Sequence, residues 1–221
     1  PLICFAVKSN TNIRILNEIK KLNLGADVVS IGELMKALKA GISPKKIVFS
    51  GVGKTSSEIE YAIKKKILLI NAESKSEILE IEKIAKQNKL SVNIGIRLNP
   101  NTDPKTISKI STGKKENKFG VDEKVFLKLV EYTKNSKNLK LKCLSVHIGS
   151  QILDYRPYEN MLAVVDSIIK KSNYNFEYID LGGGMGIDYK HNNKNLNLKK
   201  YSQIIDRFLK KNNSKIIFEP G

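Results

Sequence analysis

Among its 221 residues the sequence has no tryptophan, two histidines and two cysteines. Cys4 and Cys143 both sit inside apolar runs, with neither a disulfide framework nor metal-ligand spacing around them. They read as small buried hydrophobes, and no metal is expected. No apolar run reaches the roughly 18 residues that a membrane-spanning helix needs. The opening residues run directly into Lys8 without the pattern of a secretory leader. A cytoplasmic location with no membrane partner is the expectation. Arginine is scarce (Arg14, Arg97, Arg156 and Arg207), so the net charge of +17 is almost entirely lysine. Such a charge raises the question of nucleic acid. The lysines are spread over predicted helix surfaces, as in Lys64-Lys65-Lys66, and no basic stripe alternates with stacking aromatics. A solvated lysine-rich surface accounts for the charge, and no nucleic-acid partner is expected.

What the sequence does have is alternation. Short apolar runs occur at 2–7, 26–29, 46–49, 67–70, 92–98, 141–148, 178–181 and 216–218. Each has the length of a strand buried on both faces. Amphipathic, charge-rich stretches with helical period lie between them, at 12–22, 32–40, 57–65, 76–87, 122–134, 158–171 and 198–210. Strands alternating with helices predict a parallel sheet. Eight of them predict an α/β fold closed into a (β/α)8 barrel of the TIM type. No helix follows the eighth run, so the expectation is one barrel domain over residues 1–221, from a longer chain. The polar connection 99–121, with Asn101, Asp103, Pro104 and Gly113, is long enough to suggest a functional loop.

In such a barrel the site lies at the C-terminal ends of the strands. Here every strand end carries a distinctive residue. These are Lys8, Asp27 with Ser30, Ser50, Asn71, Arg97 with Asn99, His147, the run Gly182-Gly183-Gly184, and Glu219. Lys8 fits two readings by position: a snorkelling surface lysine, or a desolvated amine of lowered pKa able to form a Schiff base. The run Leu181-Gly182-Gly183-Gly184-Met185-Gly186 has Ile187 where a dinucleotide fingerprint needs glycine, but it suits a phosphate-binding turn after strand seven. Gly51-Val52-Gly53-Lys54-Thr55 lacks the first glycine of a nucleotide-binding loop and is not read as one. His147, beside a Gly149-Ser150 turn, reads as a ligand-facing imidazole; His191 stands in a polar loop. Glu219, near the barrel axis, requires a cation or a proton: Arg97, Lys8 or a protonated ring nitrogen of a ligand.

These motifs together resemble the pyridoxal-phosphate-dependent decarboxylases of the alanine-racemase-like barrel class, and most nearly the branch that acts on diaminopimelate. The resemblance covers the whole chain in order. It rests on Phe5-Ala6-Val7-Lys8-Ser9-Asn10, Ala26-Asp27-Val28-Val29-Ser30-Ile31-Gly32-Glu33-Leu34, Asn71-Ala72-Glu73-Ser74 and Arg97-Leu98-Asn99-Pro100. It continues through Lys118-Phe119-Gly120, His147-Ile148-Gly149-Ser150-Gln151, Gly182 to Gly186, and Glu219-Pro220-Gly221.

The resemblance implies pyridoxal 5′-phosphate as cofactor and decarboxylation of meso-2,6-diaminopimelate to L-lysine as activity, so an amino acid as small-molecule substrate. It implies that Lys8 carries the cofactor as a Schiff base and that His147 stacks on the ring. Ser150, Gly182, Gly183 and Gly184 would hold the phosphate, with backbone from Pro220 and Gly221. Glu219 would keep the ring nitrogen protonated, and Arg97 would lie near the phenolic oxygen. Asp27 and Glu33 would line the site. Lys8, His147 and Glu219 are the implied catalytic set. Family members continue past the Glu-Pro-Gly motif with an arginine and a C-terminal β-domain. That domain's cysteine supplies a proton, and it completes the site across a homodimer interface. Neither Cys4 nor Cys143 matches that cysteine by motif, so residues 1–221 alone are expected to be weak or inactive. Two alternatives remain open: an ornithine- or arginine-type decarboxylase of the same class, and a non-catalytic barrel that carries pyridoxal phosphate.

Overall fold

The computed structural model describes residues 1–101, 119–189 and 195–221. Asp103, Pro104, Gly113, Lys118 and His191 lie outside the described residues. Eight strands pair in parallel with their sequence neighbours, and the last closes on the first. They are β1 (Leu2–Ala6), β2 (Gly25–Val28), β3 (Ile47–Phe49), β4 (Leu69–Ala72), β5 (Val92–Arg97), β6 (Leu139–Ser145), β7 (Tyr178–Asp180) and β8 (Lys215–Phe218). Leu2 sits opposite Ile217 and Ile3 opposite Phe218, which seals the barrel. The expected (β/α)8 barrel is present.

Among the described residues seven α-helices follow β1 to β7 in turn: α1 (Ile13–Lys21), α2 (Ile31–Lys39), α3 (Ser56–Lys65), α4 (Lys75–Gln87), α5 (Glu123–Lys134), α6 (Arg156–Ser172) and α7 (Leu198–Leu209). Most begin where a short polar side chain takes up a free backbone N–H of the first turn, as Asn12, Ser30, Thr55, Ser74, Asp122 and Asn197 do. α6 has no side-chain cap from Tyr155 and starts on Arg156-Pro157, with Asp154 Oδ1 accepting from the Arg156 N–H. Each helix turns one apolar stripe inward. In α5 that stripe is Phe126, Leu129 and Val130, with the Phe126 ring 6.0 Å from that of Phe176.

The strand interior shows why the site sits where it does. Side chains two apart on a strand share a face. The inward layer halfway up the barrel is a small apolar plug of Cys4, Val48, Leu69, Cys143 and Ile217. One step of two toward the C-terminal end, the same strands present Ala6, Ser50, Asn71, Ser145 and Glu219, and β2, β5 and β7 add Asp27, Arg97 and Asp180. The interior therefore turns from apolar to polar within one layer. Strand boundaries differ from the expected runs by one to three residues, and two of these shifts bear on the site. β4 runs two residues further than 67–70, so Asn71 lies inside it. β6 ends at Ser145, two residues before His147.

Replacing Phe126 with Ala, which empties a fully buried aromatic site between barrel and helices, should lower the unfolding free energy by about 3–5 kcal/mol in urea denaturation. A loss under about 1 kcal/mol would contradict this packing.

Candidate functional site

The floor of the site is a polar network built on Asp180. This side chain is fully buried at the end of β7. Its Oδ2 accepts from Asn71 Nδ2 at 3.0 Å and from the Ser145 hydroxyl at 3.4 Å. Its Oδ1 accepts from the Gly182 N–H at 2.9 Å. Asn71 also donates to the Ser50 hydroxyl at 3.3 Å, and Ser50 donates to Glu219 Oε1 at 3.5 Å. Strands β3, β4, β6, β7 and β8 are thus tied across the barrel interior. Gly95 makes room for the amide, since a Cβ there would collide with Asn71 Oδ1.

Three carboxyl groups meet here, Asp27 and Asp180 buried and Glu219 half-buried at the cavity surface. Burial raises the pKa of each. Asp27 reaches about 7, because desolvation and the nearby Asp180 and Glu33 outweigh Lys8 and the Ser50 hydrogen bond. Burial also pushes Glu219 well up, reinforced by the charges of Asp180 and Asp27 and by its hydrogen bond with Asp180. Asp180 is raised by burial too, but Glu219, Gly182, Asn71 and Ser145 all donate to it and pull it back. The proton of the pair therefore rests on Glu219 and the charge on Asp180.

Above the floor opens a cavity of about 680 Å³. Lys8 lies in a short 3₁₀ turn directly after β1 (Val7–Ser9) and lines this cavity. It is exposed at the mouth. Asp27, Glu219 and His147 all feel its charge. His147 is half-buried in the wall, and burial together with the Arg97 and Lys8 charges takes its pKa down to about 3. Its imidazole is neutral across the physiological range.

The glycine turn is held by contacts that allow no side chain. Gly182 (φ +66°) and Gly184 (φ +87°) have left-handed backbones. A Cβ on Gly182 would come 2.5 Å from His147 Nδ1, and one on Gly184 would strike the Gly149 carbonyl. Gly183 and Gly184 line the cavity with Ser150, Pro220 and Gly221. Gly182 is spent on the floor, since its N–H goes to Asp180. The β8 exit is pinned by Glu219 N–H to the Gly182 carbonyl at 2.9 Å and by Ala6 N–H to the Pro220 carbonyl at 2.8 Å.

Arg97 does not pair with Glu219. It donates to Glu73 at 3.1 Å and lies 5.1 Å over the Phe119 ring. Glu33 caps α2, accepting from the Val29 N–H at 2.9 Å, and is absent from the cavity lining. Sequence reasoning gave no role to Asp180, Glu73 or Lys54. Asp180 was legible from its place two residues after Tyr178 on the inward face. Lys54 carries almost no exposed surface and reaches Glu77 at 2.6 Å and the Asn71 carbonyl at 2.8 Å. Beside the neighbouring Gly51 carbonyl, its partners are 17 and 23 residues away, and no local sequence signal marks them.

The chain matches the model of the family described as pyridoxal-dependent decarboxylase, pyridoxal binding domain, over residues 1–221. It is 46% identical over 223 residues to the diaminopimelate decarboxylase of Helicobacter pylori strain J99, covering 100% of this chain and 55% of that one. To the diaminopimelate decarboxylase of Aquifex aeolicus it is 41% identical over 224 residues, covering 100% of this chain and 53% of the relative. The chain thus spans about half the length of the curated relatives it matches. The crystal structure of the Helicobacter pylori diaminopimelate decarboxylase complexed with L-lysine superposes with a TM-score of 0.96 at 45% identity, over 100% of this chain and 56% of that one.

Asp27→Asn should change the pH dependence of stability. An unfolded Asp releases its proton near the ordinary value, while folded Asp27 keeps it until about pH 7. The folded state therefore binds more protons in that window, and wild-type stability from this group falls as pH rises through it. The variant should gain on wild type between about pH 4 and 7 and match it below, in urea melts at a series of pH values. A difference independent of pH would refute the assignment.

Proposed function

Because the chain belongs to the pyridoxal-dependent decarboxylases, we propose that it is the cofactor-holding barrel of an enzyme that decarboxylates meso-2,6-diaminopimelate to L-lysine. One observation carries the reading: Lys8, neutral His147, the glycine turn and proton-bearing Glu219 all border a single cavity. The substrate rests on the diaminopimelate decarboxylases that align over the whole chain, two of them solved with L-lysine.

The residues present fit pyridoxal phosphate. Gly183 and Gly184 offer bare backbone beside the Ser150 hydroxyl and Gly221, a donor set for a phosphate. Asp27 Oδ1 is buried without a hydrogen-bond partner among the described residues, an acceptor available to a cationic group near Lys8. When bound, the cofactor supplies an aldehyde for an amine and a conjugated ring that takes up the electron pair released with carbon dioxide. Lys8 presents the amine that holds the aldehyde. Glu219 would face the ring nitrogen and favour its protonated state, with Ser50 orienting the carboxyl group. His147, uncharged, provides an aromatic wall without competing for that proton. Arg97 sets a positive charge beside the phenolic oxygen. Gly183, Gly184 and Ser150 would hold the phosphate and so restrict the orientation of the ring.

The rim of the cavity includes Val52, Ile187 and Tyr189, all strongly exposed apolar side chains. They support a homodimer in which a second copy, with a C-terminal β-domain, covers the mouth and supplies the proton donor. Among the described residues no helix is long and apolar enough to cross a membrane, which is compatible with a cytoplasmic location.

The full-length protein should bind pyridoxal phosphate with an absorbance band near the visible edge, and Lys8→Ala should abolish that band. A band unchanged in the variant would remove Lys8 from its role. In decarboxylation assays, diaminopimelate should be turned over in preference to ornithine and arginine; preference for either of these would replace the substrate assignment.

A further inference from the structure

Three loops meet on one buried carboxylate. Glu73, directly after β4, has a side chain only 2% exposed. Its Oε1 accepts from Arg97 Nη1 at 3.1 Å and from the Gly51 N–H at 3.1 Å. Its Oε2 accepts from the Gly120 N–H at 3.2 Å. Gly51 after β3 and Gly120 before α5 are thereby fixed to the end of β4, and Gly51, Arg97 and Phe119 all line the cavity. Glu73 is itself fixed from behind. Its N–H goes to Glu77 Oε2 at 2.8 Å, and Glu77 Oε1 takes the buried ammonium of Lys54 at 2.6 Å. The result is a connected line, Lys54, Glu77, Glu73 and Arg97, with a cation at each end and two carboxylates between, that ends at the cavity wall. A guanidinium on a flexible stem has many rotamers in water. Here the Glu73 carboxylate on one side and the Phe119 ring at 5.1 Å on another leave it few.

We propose that Glu73 is a positioning residue that aims Arg97 at the bound cofactor and clamps the two neighbouring loops against it. Resting on the cofactor site proposed above, the inference assigns Glu73 no contact with substrate or cofactor. Its effect passes through Arg97, so the two positions must act as one unit.

A double-mutant cycle on the full-length protein tests this, read by pyridoxal phosphate titration and by the position of the absorbance band. Glu73→Gln and Arg97→Gln should each weaken cofactor affinity about tenfold and displace the band in the same direction, and the double variant should also lose only about tenfold. Glu73→Asp, which keeps the charge, should recover part of the loss. If Glu73→Gln does not fold, Glu73→Asp enters the cycle in its place. Wild-type affinity and band in the Glu73 variant, or a loss of about a hundredfold in the double variant, overturns the proposal while the cofactor site stands. A wild-type protein that gives no band overturns both.

Discussion

Three neighbouring carboxyl groups cannot all be charged, and the site is arranged around that constraint. Asp27 and Asp180 are buried and Glu219 is half-buried beside them, near an apolar plug that offers them nothing. Charge repulsion and desolvation both favour protonation, and the protein decides which group keeps the charge by distributing donors unequally. Asp180 receives two side-chain donors and one backbone donor. Glu219 receives one weak hydroxyl contact, at 3.5 Å. The acid at the cavity surface is therefore the one that holds a proton. Without the Asn71 amide and the Gly182 N–H, charge would be free to move between the pair, and the site would lose its defined proton.

The architecture was readable because two periods dominate the chain. Fully apolar runs of strand length alternate with helical stripes, and every strand exit carries a chemically distinct residue. Lys8, His147, Gly183, Gly184 and Glu219 were all picked out in this way and all border one cavity. The charged supports were not readable. Glu73 and Lys54 resemble any other residues of a chain in which 28% are charged. Their burial depends on partners brought together by closure of the barrel, and separation along the chain conceals this. Arg97 was one of three partners the sequence allowed for Glu219, and only the fold sets Glu73 beside its guanidinium.

Ion pairs in this protein fall into two populations. Surface pairs such as Lys21–Glu18 and Lys64–Glu60 join neighbours on one exposed helix face and contribute little. The Lys54–Glu77 and Glu73–Arg97 pairs are desolvated, so losing one partner leaves an uncompensated charge in the interior. They hold together the loops after β3, β4 and β5, a region where strand termini would otherwise be free to splay. The lysine excess of the surface and the few buried cations answer to different physics.

The vacancy at position 95 gives the barrel a lock-and-slot character. A side chain from β4 occupies volume that belongs, by the register, to its neighbour on β5, and the thiol-bearing strand β6 closes the slot from the far side. Residues 71 and 95 therefore constitute a single unit of variation. In any descendant of this sequence, growth at one must be accompanied by shrinkage at the other, and a methyl group far from the mouth would be felt first as a misplaced proton.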